Sequence, residues 1–285
     1  MIIRLGYELS YEFEQPTPMI LMLSIHSSRV SDVVVQDNMV TLPDANVSGY
    51  WDVFGNWCSR IVAPPGKFVV STDALIKDSG SPEITKNSGT QHEVNELPSE
   101  TLSFLLGSRY CETDLLNEIA WDLFEKEEPG ISRVIAICNY VHQHITFGYE
   151  DAQPTRTAYG ALNDGKGVCR DYAHLAITLC RCMNIPARYC TGYLSDLDIP
   201  PPYCPSDFTA WMEVYLDGGW HIFDPRHNAA RTGRVLIARG RDAGDVSISS
   251  TFGPASLKNF TVWAKEVDYS YLDALEGPII RLPTL

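Results

Sequence analysis

The chain has 285 residues, 45% hydrophobic and 20% charged, with 36 acidic against 22 basic side chains and a formal charge of -14. A chain of this length accommodates two domains and buries roughly 75% of its unfolded surface, so it needs no covalent or metal staple. The acidic balance disfavours nucleic acid and anionic membranes as partners, because both require basic surface, and it mildly favours neutral or cationic substrates.

The N-terminus reaches Arg4 and Glu8 too early for a signal peptide. Ile3, Leu5, Tyr7, Leu9 and Tyr11 alternate with Arg4, Gly6, Glu8, Ser10 and Glu12, which predicts a half-buried strand. Pro16 and Pro18 interrupt it. The apolar run from Pro18 to Ile25 is far too short to span a bilayer. Short strands are expected over 19–26, 30–35 and 39–42, a turn at Gly55-Asn56, and further strands over 60–63 and 67–72. Residues 77–100 are polar and read as a linker. These features predict an N-terminal all-β domain over residues 1–90 and a second domain over 91–285.

Beyond the linker the apolar spacing becomes helical. Leu115, Leu116, Ile119, Ala120 and Leu123 mark one helix over 112–124, and Val134, Ile137, Cys138, Val141 and Ile145 a second. Residues 160–167 read as loop, and 169–183 as a third, amphipathic helix ended by Asn184-Ile185-Pro186. Strands follow over 187–193, 208–216 and 220–223, then a tail of short strand-like runs and loops over 235–285. The eight cysteines sit singly in apolar segments, apart from Cys180-Arg181-Cys182. This usage predicts reduced thiols and a cytoplasmic location. Cys180, Cys182, Cys190 and Cys204 lack zinc-site spacing, and no phosphate loop or dinucleotide fingerprint is present, so neither metal nor cofactor is expected.

The segment Asp164-Gly165-Lys166-Gly167-Val168-Cys169-Arg170-Asp171 carries the chemistry. A glycine turn delivers Cys169 to the first turn of a helix, where unpaired N–H groups favour the thiolate. Ile185-Pro186-Ala187-Arg188, then Asp207-Phe208-Thr209-Ala210-Trp211-Met212-Glu213-Val214, then Gly219-Trp220-His221-Ile222-Phe223-Asp224-Pro225 follow in order. Together these motifs resemble the transglutaminase-like superfamily of papain-type thiol enzymes, and in particular bacterial transglutaminase-like proteins described as cysteine proteases. The resemblance covers about residues 105–250. It implies an α+β fold in which the helix bearing the cysteine packs on an antiparallel sheet. It implies that Cys169 is the nucleophile and Asp224 the residue that orients a histidine.

In the family pattern that histidine immediately precedes Ala-Trp, and here the position holds Thr209. A hydroxyl can neither hold a thiolate nor protonate a leaving amine near neutral pH. His174 lies five residues beyond Cys169 and faces another side of the helix. His221 and Asp224 point to opposite faces of a regular strand. His227, just past the strand in Asp224-Pro225-Arg226-His227-Asn228, is left as the candidate base. The catalytic candidates are therefore Cys169, Asp224, His227 and Thr209. Two functions stay open: cleavage or transfer of an amide or acyl group through a Cys169 thioester, and a binding or scaffold protein that keeps the fold without turnover. The expected partner is a peptide or amide-containing small molecule, with self-association left open.

Overall fold

The computed structural model describes residues 1–83, 88–197 and 207–269. The strand-rich start forms β1 (Ile2–Phe13), β2 (Thr17–Leu21), β3 (Val33–Val35), β4 (Val40–Leu42), β5 (Ser48–Trp51), β6 (Trp57–Ala63) and β7 (Gly66–Lys77). Next come α1 (Thr113–Phe124), α2 (Ile131–His144), β8 (Thr146–Phe147), α3 (Ala158–Asp164), β9 (Lys166–Gly167) and α4 (Cys169–Cys182). The chain continues through β10 (Ala187–Leu194), β11 (Thr209–Leu216), β12 (Gly219–Phe223), β13 (Arg234–Gly240), β14 (Ser249–Thr251) and β15 (Ala255–Val267).

One sheet runs β15-β1-β7-β3 with β4 also on β7, and another runs β14-β2-β6-β5. The N-terminal strands are thus closed by two strands from the far end of the chain. β1 is antiparallel to both β7 and β15, so its polar alternation does not expose one whole face. Only Glu8 and Glu12 of β1 are exposed. Gly6 sits beneath Trp263, where a Cβ would come 2.3 Å from the Thr72 carbonyl oxygen and 2.5 Å from the indole. The inner face buries Leu5, Leu9, Met19, Leu21, Phe68 and Val70, each fully removed from solvent. Each such side chain contributes about 1.5–3 kcal/mol by area.

The third sheet runs β12-β11-β10-β13 and carries α4. Residues 171–182 of α4 are all buried, so this helix is the centre of its half of the molecule rather than an amphipathic surface helix. Its polar residues are paired accordingly. Arg181 donates to the carbonyls of Ala187 and Leu106, and Thr178 Oγ1 donates to the His174 carbonyl at 2.7 Å.

Three local expectations change. Residues 30–32 belong to a 3-10 turn, Ser27–Asp32, and only 33–35 form a strand. His26 Nδ1 accepts from the Ser28 N–H and Arg29 pairs with Asp32, and these local bonds outcompete extended pairing. Within 160–167 the chain is α3 up to Asp164, not loop. Thr157 caps it by accepting from the Gly160 N–H, and Gly165 ends it at φ 63. The tail holds one 13-residue strand, β15, rather than short runs alone, because β1 offers a full-length edge. Residues 270–285 of that tail, Cys204 and the Pro200–Pro202 run lie outside the described residues.

The two halves meet through specific polar contacts. Asp52 Oδ1 accepts the N–H groups of Phe54 and Asn56, which forms the turn between β5 and β6. Asn56, fully buried, then donates to the Arg239 carbonyl at 2.8 Å and accepts from the Arg239 N–H at 2.9 Å. A side-chain amide thereby completes the β13 edge as a strand would.

Candidate active site

β8 and β9 pair in parallel, Thr146 with Lys166 and Phe147 with Gly167, and set the chain up for α4. A Cβ on Gly167 would lie 2.4 Å from Asp171 Oδ2, so only glycine permits the approach seen here. That oxygen accepts the Val168 N–H at 2.8 Å and pairs with Arg156 at 3.3 Å. The side chain of Asp171 thus caps α4 and puts negative charge in its first turn. Burial raises the Asp171 carboxyl, while the Val168 N–H, Arg170 and Arg156 counteract it.

Cys169 is the first residue of α4 and is partly exposed, whereas the other six described cysteines are buried. Its sulfur lies near the backbone N–H of Ala210 on β11. Burial pushes the thiol above its ordinary value, Arg226 and the Ala210 N–H pull it down, and Asp207 and Asp224 push it up. Desolvation thus opposes the helix terminus at this thiol.

β12 ends at Phe223, and Asp224 organises the turn that follows. Its Oδ1 accepts the N–H groups of Arg226 and His227, both at 3.1 Å, and its carbonyl accepts the Asn228 N–H at 2.7 Å. Asn228 closes the turn at φ 50. The turn folds His227 back, and its Nδ1 lies 2.8 Å from Asp224 Oδ2. A carboxylate only accepts, so Nδ1 carries the proton and Nε2 is the free ring nitrogen. Asp224 Oδ2 also accepts from Arg234 Nη2 at 2.8 Å. Burial works to raise the Asp224 carboxyl, but Arg234 and His227 overcome it and hold it far below the usual carboxylate range.

Arg234 is itself buried, lies over the Trp211 ring at 4.7 Å, and pairs with Glu83. A chain of charges, Glu83–Arg234–Asp224–His227, therefore runs from the segment after β7 to the imidazole. Sequence reasoning missed Arg234 and Glu83, since neither sits in a motif. The only available signal was the need of a buried aspartate for a cation. A cavity of about 210 Å³ borders Asp224, lined also by Phe223, Cys138, Asn139 and Asn228.

Thr209 stands at the start of β11, on the strand face of Trp211 and Glu213, while Ala210 and Met212 join the cluster around α4. Its hydroxyl is buried and has no hydrogen-bond partner among the described residues. The neighbouring Ala210 N–H, not the Thr209 side chain, acts on the Cys169 thiol. His174 is fully buried, stacked on Tyr110, and accepts the Ala243 N–H at Nε2. His221 Nε2 is bonded to the Leu216 carbonyl at 3.0 Å. Among these histidines, only His227 is joined to Asp224.

A cysteine heading a buried helix, laid against an antiparallel sheet whose strand end carries a buried aspartate, matches a known family. The match to the model of the transglutaminase-like superfamily spans residues 117–225. That region belongs to the transglutaminase-like superfamily. The matched span contains Cys169, Thr209 and Asp224 and ends at Pro225, before His227. The solved structure of a Cytophaga hutchinsonii protein, provisionally described as a cysteine protease, superposes with a TM-score of 0.81 at 29% identity. It covers 94% of this chain and 92% of that one, so the transglutaminase-like core and the N-terminal strands recur together. An uncharacterised protein of Mycobacterium leprae is 21% identical over 256 residues, 86% of this chain and 90% of its own. Mouse kyphoscoliosis peptidase is 32% identical over 115 residues, which is 38% of this chain and 17% of that protein. Among the described residues, no helix is long and apolar enough to cross a membrane.

Proposed function

We propose that the protein is a thiol enzyme that cleaves or transfers an amide or acyl group through a thioester on Cys169. His227 acts as base and acid in place of the histidine that the family pattern expects at 209, and Asp224 orients it. The observation that carries this reading is the 2.8 Å bond from His227 Nδ1 to Asp224 Oδ2, a carboxylate whose charge acts on the Cys169 thiol.

In the first step His227 Nε2 takes the Cys169 proton and the sulfur attacks the acyl carbon. The C–N bond of the tetrahedral intermediate then breaks, and the imidazolium returns the proton to the departing amine. Water or a second amine attacks the thioester, again deprotonated at Nε2, and the Cys169 sulfur leaves. Asp224 stays ionised throughout, because Arg234 and the two turn N–H groups hold it so. A peptide or amide-containing small molecule is the substrate class, and the seven free cysteines suit a reducing, cytoplasmic compartment.

The scaffold reading is favoured by one observation, the thiol pushed up by burial with Thr209 at the family's histidine position. Incubation with p-nitrophenyl acetate, followed by peptide mass spectrometry, separates the two. An enzyme acquires an acetyl group on Cys169 and releases it, and Cys169→Ala abolishes both. A protein left unacylated at Cys169, with ester hydrolysis unchanged in Cys169→Ala, is a scaffold.

A further inference from the structure

The turn that presents His227 also presents a cation, Arg226, whose side chain has no acceptor among the described residues. The Arg226 backbone is fixed at both ends: its N–H donates to Asp224 Oδ1 at 3.1 Å, and its carbonyl accepts from His142 Nδ1 at 2.9 Å. Its guanidinium carbon lies over the Phe147 ring, 3.8 Å from the centroid. Among the described residues, no acceptor hydrogen-bonds this guanidinium and no carboxylate lies within ion-pair distance of it. Asp207 acts on it only through space. Arg234, by contrast, has both its carboxylates in contact.

A guanidinium stacked on an aromatic ring keeps its edge N–H groups free, and that planar edge fits a carboxylate with two parallel bonds. Arg226 is also the cation that acts most directly on the Cys169 sulfur. We propose that Arg226 receives a carboxylate of the substrate close to the scissile amide, so that the preferred substrates are acidic peptides or amides. The inference rests on Cys169 being the nucleophile. The charge of -14 does not oppose it. Those charges are spread over a molecule much larger than the ~8 Å screening length at physiological ionic strength, whereas Arg226 lies over Phe147, which pairs with Gly167 two residues before Cys169.

Two alkylating reagents of nearly equal size test it, iodoacetate and iodoacetamide. In both, the Cys169 thiolate forms an S–C bond as the C–I bond breaks and iodide leaves with the electron pair. Both rates scale with the thiolate fraction, so their ratio cancels any effect of Arg226 on ionisation and reports only on the reagent's carboxylate. Rates at Cys169 in the full chain are read by peptide mass spectrometry, with N-acetylcysteine amide as the free-thiol reference. The expected iodoacetate-to-iodoacetamide ratio exceeds that of the reference by about tenfold, the scale of one close charge pair in partly screened surroundings. Arg226→Gln brings the ratio to the reference value, and Arg226→Lys, which keeps the charge without the fork, retains part of the excess.

A wild-type ratio equal to the reference overturns the inference. So does a ratio unchanged in Arg226→Gln while both rates fall together, which would make the arginine a support for the thiolate alone. Those results leave the thiol-enzyme reading standing. Failure of both reagents to label Cys169 sinks both readings.

Discussion

Asp224 does three things with two oxygens, and this sets what its replacement should do. Oδ1 holds the backbone of the turn, while Oδ2 is shared by His227 and Arg234. Asp224→Asn keeps the shape but offers an amide that can donate to Nδ1 and turn the imidazole to the other tautomer. Ester turnover should fall by about 10²–10⁴-fold, the usual worth of a positioned acid–base group. Arg234→Met leaves a buried carboxylate with one partner fewer, and urea unfolding should show a loss of about 3–5 kcal/mol. The pH sign follows from the shift. The native carboxyl lies below its unfolded value, so its contribution is fully present above about pH 4 and is lost as pH falls below that. Acid unfolding of Asp224→Asn should therefore be less steep below pH 4 than that of the wild type, as measured by circular dichroism. Thr209 belongs at this scale too. Its hydroxyl has no partner among the described residues, so Thr209→Val should leave the rate of Cys169 acylation within about threefold, less than one hydrogen bond's worth.

At the scale of the element, the head of α4 is the device that holds Cys169. Asp171 caps the helix, satisfies the Val168 N–H and neutralises the buried Arg156. Asp171→Ala removes the cap and leaves Arg156 with Asp164 as its remaining carboxylate partner, and thermal or urea unfolding should report a loss of about 1–3 kcal/mol. Much of this element was readable in the residues: Gly165, Gly167, Cys169 and Asp171 announce a turn and a helix start. α3 was readable too, since Thr157 and Gly165 are its caps, but its seven residues are too few for an apolar stripe to stand out. The thiol's upward displacement was not readable. It depends on burial supplied by β11 and the Asp224 turn, which no local pattern encodes. The His227–Asp224 bond was legible only as an option, because a four-residue turn can fold back or run on, and Asp224 Oδ1 decides which.

At the scale of the whole molecule, the order of elements and the family core were legible from motif order, whereas the way the chain closes was not. β14 and β15 return to the N-terminal sheets, a pairing between residues over 200 positions apart that only register and packing specify. Where the halves meet, His26 is buried with Nε2 unpaired, and its pKa is lowered to about 4 by burial and by Arg239 and Arg188. A histidine kept neutral in the native state takes up its proton only on unfolding. Stability therefore falls as pH drops from about 6.5 towards 4, by at most about 1.4 kcal/mol per unit, and none of this loss arises above 6.5. His26→Gln should flatten the urea midpoint over that interval.

The central claim is that the imidazole at 227 serves the sulfur at 169. Its most direct test is the time course of acetylation and deacetylation of Cys169 by p-nitrophenyl acetate in His227→Gln, set against the wild type with Thr209 untouched. The expected result is acylation slowed by about 10² or more and a thioester that persists once formed. Acylation and release at wild-type rates in His227→Gln would contradict the account.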